Sequence, residues 1–232
     1  MTLLTILVLG FFLGMRHATD SDHVVAVTTI VSRERKPLAA LWVGALWGLG
    51  HTATILLVGG SIVLFGWVIP PRLGLSMELS VAVMLIVLGV MNLTGALQGI
   101  KRAAHPHRHE EGADLDEKHV HVRGPLRPLV IGVVHGLAGS AAVALLVLAT
   151  IKSPGMALLY LLIFGVGTVA GMALLTLAMS LPITALSRRF GNFEQQLARV
   201  TGVLSLAFGL FLAYRIGVEG GLLFGTPHWD PH

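Results

Sequence analysis

Long apolar runs dominate this chain. Residues 3–31, 38–67, 77–99, 127–151, 156–186 and 196–218 are each long enough to cross a hydrocarbon layer, which takes about 20 residues of helix. The pattern predicts six transmembrane helices. The first, second and fifth runs exceed the requirement, which predicts tilt, or a break where Gly and polar residues interrupt them. The first is interrupted most severely. Between apolar residues 3–15 and 24–31 stands Arg-His-Ala-Thr-Asp-Ser-Asp-His, residues 16–23. A charged side chain near the bilayer centre costs about 2.5–3.5 kcal/mol by insertion scales, so such an octet points to function.

Composition agrees with the pattern. The 232 residues are 54% hydrophobic and only 12% charged, with mean hydropathy +0.80, against about 25% charged in a soluble domain. There is no cysteine, so any metal site must use imidazole, carboxylate, thioether, backbone or water. The apolar N-terminus has neither a basic leader nor a small-residue cleavage site and reads as a first span.

Charge sets the expected orientation. Arg33, Arg35, Lys36, Lys101, Arg102, Arg108, Lys118, Arg123, Arg127, Arg188, Arg189 and Arg199 fall on one side of the six spans, and Arg72, Lys152 and Arg215 on the other. The positive-inside rule then puts loops one, three and five in the cytoplasm and both termini outside. The net charge of +4 and the pI near 10.0 follow from this asymmetry. No basic stripe is interleaved with aromatics, so nucleic acid is not an expected partner.

Residues 100–126 divide the chain. They hold His105, His107, His109, His119 and His121 among five acids without a helical or strand period, and read as a cytoplasmic loop. On either side the sequence resembles itself weakly. Gly14-x-x-His17 matches Gly132-x-x-His135, Trp47-Gly-Leu-Gly50 matches Phe164-Gly-Val-Gly167, and Gly89 matches Gly209, at offsets of 118, 117 and 120. Three spans per half insert in opposite senses, which is the inverted-repeat architecture of transporters. The alternative is that Gly recurs wherever membrane helices pack closely. The expected fold is therefore an all-α integral membrane protein of two inverted three-helix repeats, 1–99 and 127–218, with a tail at 219–232.

The polar positions inside the spans supply the chemistry. On a regular helix of about 100° per residue, with His17 at zero, Asp20 falls near 300°, His23 near 240° and Asp22 near 140°. His17, Asp20 and His23 share an arc and Asp22 points away. Either the helix is distorted between Arg16 and His23, or Asp22 has a separate task, such as orienting a ligand imidazole or pairing with Arg16. His51 lies at mid-span between small residues, and His135 opens span four at the position matching His17. Thr52, Asn92 and Ser140 are weaker candidates. His17, Asp20, Asp22, His23, His51 and His135 form the candidate metal set. Imidazole with carboxylate suits Ni, Co, Zn, Cu(II) or Fe(II), whereas calcium and magnesium prefer oxygen shells.

The segment His17-x-x-x-x-Asp22-His23 resembles the His-x4-Asp-His signature of the nickel/cobalt transporter (NiCoT) superfamily. Trp47-Gly-Leu-Gly-His-Thr resembles that family's second helix motif, and His135-Gly-Leu-Ala-Gly-Ser-Ala resembles the short branch of urease accessory and high-affinity nickel transport membrane proteins. The resemblance implies metal-site roles for His17, Asp22, His23 and His51. Two features depart from it: six spans instead of eight, and no acid in the region of the later Phe-Asp-Thr-Ala-Thr-Glu-like motif. The function it implies is transport of Ni²⁺ or Co²⁺ across a bacterial cytoplasmic membrane, not an enzyme and with no prosthetic group. Expected partners are the ion, membrane lipids, and a cytosolic metallochaperone or nickel-enzyme maturation protein docking on the His-rich loop. The competing readings are an intramembrane metal-dependent hydrolase, for which the His-Glu-x-x-His pattern is absent, and a delivery or sensing subunit for a nickel enzyme.

Because the chain is cysteine-free, its topology can be read cleanly. In intact cells, Glu34→Cys should resist an impermeant maleimide and Arg72→Cys should react. The opposite pattern would reverse the assigned orientation.

Overall fold

The computed structural model describes residues 3–32, 34, 36–67, 69–95, 123–137, 150, 151, 153–190 and 192–229. All the regular elements among them are helical. They are α1 (Leu3–His17), α2 (Ser21–Val31), α3 (Pro37–Phe65), α4 (Pro71–Leu93), α5 (Arg123–His135), α6 (Pro154–Arg189) and α7 (Phe193–Tyr214), followed by one π-helical turn, Arg215–Glu219. α3, α4, α6 and α7 with its π turn are long and apolar enough to cross a membrane, and α1 with α2 makes a fifth span if the bent pair is one crossing. The apolar stretch Leu126–His135 of α5 is shorter. The rest of the expected fourth span (138–149) and the His-rich segment 100–122 lie outside the described residues.

Helix starts and stops follow local chemistry. Proline occupies the first turn of α3, α4 and α6, where its missing N–H costs no intrahelical bond. α3 ends on Gly66 in the left-handed region, φ 64°, the usual glycine stop. α4 starts at Pro71, six residues before the apolar pattern suggests, because proline initiation outweighs the polarity of Arg72 and Ser76. Of the three overlong spans only the first is broken: α3 and α6 run uninterrupted for 29 and 36 residues. α1 and α2 meet at a 56° bend. There Thr19 and Asp20 N–H donate to the Arg16 and His17 carbonyls, 2.8 and 3.1 Å, and the Thr19 hydroxyl caps the Arg16 carbonyl at 2.6 Å. Asp20 is extended (φ −62°, ψ 151°) at the N-cap of α2, a position that Asp favours.

Close backbone approach holds the bundle together. In a membrane, helices associate through packing and hydrogen bonds because lipid removes the hydrophobic drive between them. Gly14 of α1 lies against the backbone of Phe164 and Thr168 of α6, and Gly132 of α5 against that of Trp47 and His51 of α3. Gly167 of α6 meets Phe11, and Gly50 of α3 meets Leu129 and Val133. Gly89 of α4 meets Gly202 and Leu206 of α7, while Gly209 meets Ala82 and Ile86. A Cβ at any of these glycines would strike main chain. α3 also lies along α6, where Gly44 faces Met172 and Thr176 and the Thr52 hydroxyl donates to the Gly165 carbonyl at 3.2 Å.

A buried polar pin joins α2 to the α4–α7 pair. Asn92 Nδ2 donates to the Thr29 carbonyl (3.2 Å), Ser32 Oγ (3.3 Å) and Thr201 Oγ1 (3.2 Å). The expected tail is partly folded: Trp229 covers Gly74, and its Nε1 donates to Glu78 Oε1 at 2.9 Å. Large apolar side chains such as Phe12, Trp42, Leu57 and Phe211 face outward, as expected of a surface solvated by lipid.

Gly89→Leu would overpack the α4–α7 seam. It should destabilise the purified protein by about 1–3 kcal/mol or more, read as a lower Tm in detergent. An unchanged Tm would contradict backbone contact at this seam.

Candidate metal centre

The break between α1 and α2 builds the site. His17 is the last residue of α1, His23 lies in the first turn of α2, His51 sits in the middle of α3, and His135 ends α5. All four are buried, with exposures of 5%, 0%, 0% and 0%. His17 Nε2 lies 2.9 Å from His51 Nε2. The His23 ring lies 4.7 Å from that of His17, 5.0 Å from His51 and 4.3 Å from His135, centre to centre. Two groups have ligand atoms within 4.8 Å of one another: His17, His23 and His51, and Asp22, His23 and His135.

The two carboxylates orient these rings. Asp20 Oδ2 lies 2.9 Å from His17 Nδ1. Asp22 divides its oxygens, Oδ1 at 3.2 Å from His23 Nδ1 and Oδ2 at 2.9 Å from His135 Nε2. A carboxylate on one ring nitrogen fixes the tautomer and frees the other nitrogen for metal, the usual outer-shell arrangement. His17 is thus held with Nε2 toward His51, and His23 keeps its Nε2 clear of Asp22. The buried His23 Nε2 and His51 Nδ1 have no protein partner, and buried polar atoms of that kind call for a ligand or water. Asp20 is 41% exposed and Asp22 14%, so the cluster approaches the surface on the Asp20 side.

The walls are aromatic and the approach is glycine-lined. Phe164 lies over His17, 5.4 Å between centres, and Trp47 stacks on His23 at 5.9 Å with its edge toward His135 at 5.4 Å. Gly132 and Gly136 bring α5 onto the backbone around His51, which places His135 beside α2. Thr54 Oγ1 ties the same pair of helices through the Val133 carbonyl, 3.0 Å.

The structure gathers His17, Asp20, Asp22, His23, His51 and His135 into one place, and it corrects the helical-wheel geometry. A continuous helix would point Asp22 away; the bend at residues 18–20 resets the angular phase and turns Asp22 inward. The distortion falls in the interval where the wheel and the family signature conflict. Asp20 keeps contact with His17 but stands at the edge. Both aspartates pair with imidazoles and not with Arg16. Thr52 and Asn92 fasten helices outside the cluster, and Ser140 is outside the described residues. Trp47 joins the walls as well, one turn before His51 on the same helix.

The fold and site define a multi-pass membrane protein with a buried His/Asp cluster. The chain belongs to the family described as cytochrome c biogenesis protein transmembrane region, which matches residues 5–211. It is similar to the urease accessory protein UreH of Bacillus sp. (strain TB-90), 37% identical over 229 residues and covering 95% of each chain. It is also 28% identical over 213 residues to the chloroplast protein FOR GROWTH AND FERTILITY 2 of Arabidopsis thaliana, covering 87% of this chain and 54% of that one. No solved structure matches.

Asp22→Asn keeps the side chain's size and removes its charge. In the purified protein, affinity for a divalent transition metal should fall about 10–100-fold, the usual cost of losing an outer-shell partner. Equal affinity by calorimetric titration would remove Asp22 from the site.

Proposed function

We propose that this protein is a transporter moving Ni²⁺ or Co²⁺ across a bacterial cytoplasmic membrane, in the manner of the nickel/cobalt transporter superfamily, to supply a nickel enzyme. The observation that carries the reading is the convergence of three buried imidazoles, each from a different helix, within a membrane bundle. Ionisable groups at such depth are costly and are kept where ions pass. The set offers nitrogen with adjacent carboxylate, the chemistry preferred by late first-row divalent metals. The ion is cargo here. His17, His23 and His51 would take it, Asp20 and Asp22 holding the first two rings in register. Imidazoles must be neutral to bind, so protons compete with the ion. The likeness to a urease accessory protein favours nickel as substrate and an accessory or transport role over an enzyme's.

An architecture of inverted repeats fits this reading. The glycine contacts are reciprocal under the repeat offsets: Gly14 on Phe164 and Thr168 answers Gly132 on Trp47 and His51, Gly50 on Leu129 answers Gly167 on Phe11, and Gly89 on Leu206 answers Gly209 on Ile86. Six crossings and external termini are the topology that this symmetry and the charge asymmetry favour. Every one of these contacts joins one half to the other. The two sequence halves are therefore interleaved, and alternating access would not move one sequence half as a body against the other.

A second reading, a membrane subunit that delivers nickel to urease maturation proteins without itself conducting it, is favoured by the relative's designation as an accessory protein. Flux decides between them. Purified protein in liposomes should move ⁶³Ni²⁺ with no other protein present, and His17→Ala should reduce that flux at least tenfold. Absence of wild-type flux favours delivery; wild-type-like flux in the variant overturns the site.

A further inference from the structure

We propose that the cluster holds two successive positions for one divalent ion, sharing His23: an all-imidazole position made by His17, His23 and His51, and a carboxylate-containing position made by Asp22, His23 and His135. This rests on the transport reading for its purpose, but its geometry stands independently. Each trio brings its ligand atoms within 4.8 Å of one another. The His23 ring belongs to both trios and has two nitrogens to offer. Its Nδ1 faces Asp22 Oδ1 at 3.2 Å, and its Nε2 is buried without a protein partner; the Nε2 atoms of His17 and His51 lie 2.9 Å apart. Asp22 Oδ2 and His135 Nε2, 2.9 Å apart, complete the second trio. An ion there would take the place of the protons that Asp22 shares with the two rings.

The positions differ in charge and in the elements that carry them. The first offers three neutral ligands and the second an anionic one, so the two present an ion with unlike environments, all-nitrogen and harder mixed nitrogen–oxygen. Two dications on opposite edges of one imidazole repel with four times the energy of unit charges, so the positions fill alternately. The first spans both fastened pairs, His17 on α1 against α6 and His51 on α3 against α5. The second needs only α2 and α5. His23 is then the group on which the ion is handed over.

The test uses the full-length protein in detergent with Ni²⁺ alone, measuring stoichiometry by equilibrium dialysis and ligands by X-ray absorption. Wild type should bind one equivalent. His51→Ala should still bind one, more weakly, with two imidazoles and a carboxylate. His135→Ala should bind one with three imidazoles and no carboxylate, and His51→Ala/His135→Ala should bind none. His135→Gln, which preserves a donor to Asp22 and guards against misfolding, should match His135→Ala in its ligand set. In liposomes each single variant should lose flux. Two equivalents in wild type, complete loss of binding in His51→Ala, or unchanged ligand set and flux in His135→Ala and His135→Gln would each overturn the two-position site. If the binding pattern holds while wild type conducts nothing, only the transport reading fails.

Discussion

The carboxylate of Asp22 is the contact on which the site depends. One oxygen holds His23 in its own helix and the other holds His135, 113 residues away. Leaving either partner unmatched in an apolar interior would cost the desolvation of a buried polar group. That arrangement is possible only because the chain stops being helical at residues 18–20. The break turns Asp22 inward, puts His23 beside His17, and brings α2 toward the α4–α7 pair, where Asn92 secures it. A single local interruption thus sets the geometry of the cluster and the attachment of the second layer of helices.

The rest of the fold brings other helices close enough to use that geometry. His51 and His135 reach the break because glycines at 50, 132 and 136 let α3 and α5 approach main chain to main chain. His17 is held by the equivalent contact of Gly14 with α6. Lipid supplies no hydrophobic pressure between helices, so small residues and a few buried hydroxyl and amide bonds must do the holding. Six of these glycines, at 14, 50, 89, 132, 167 and 209, each lie against the main chain of another helix.

Much of this was legible in the sequence, for reasons that can be stated residue by residue. The apolar runs identify α3, α6 and α7 to within a few residues because a membrane span needs a minimum length of apolar side chain. The polar octet identifies the place of the break, since the wheel and the His-x4-Asp-His pattern disagree about which aspartate faces inward. His51 and His135 stand out as lone imidazoles at depth. The start of α4 was not legible, because Pro70 and Pro71 initiate a helix whose first turns carry Arg72, Ser76 and Glu78. Nor was the folding back of Trp229 onto Gly74, a contact between residues far apart in the chain.

By itself the sequence determined that this is a multi-pass helical membrane protein with an expensive polar cluster in its first span. Hydropathy and charge are additive along a chain and need no neighbours to be counted. Only the tertiary structure decided that Asp22 faces inward, that Asp20 stands at the edge on His17, and that His23 touches the rings of His17, His51 and His135 together. Side-chain direction depends on where the helical phase is broken and on how closely distant backbones approach, and both are settled by packing between helices.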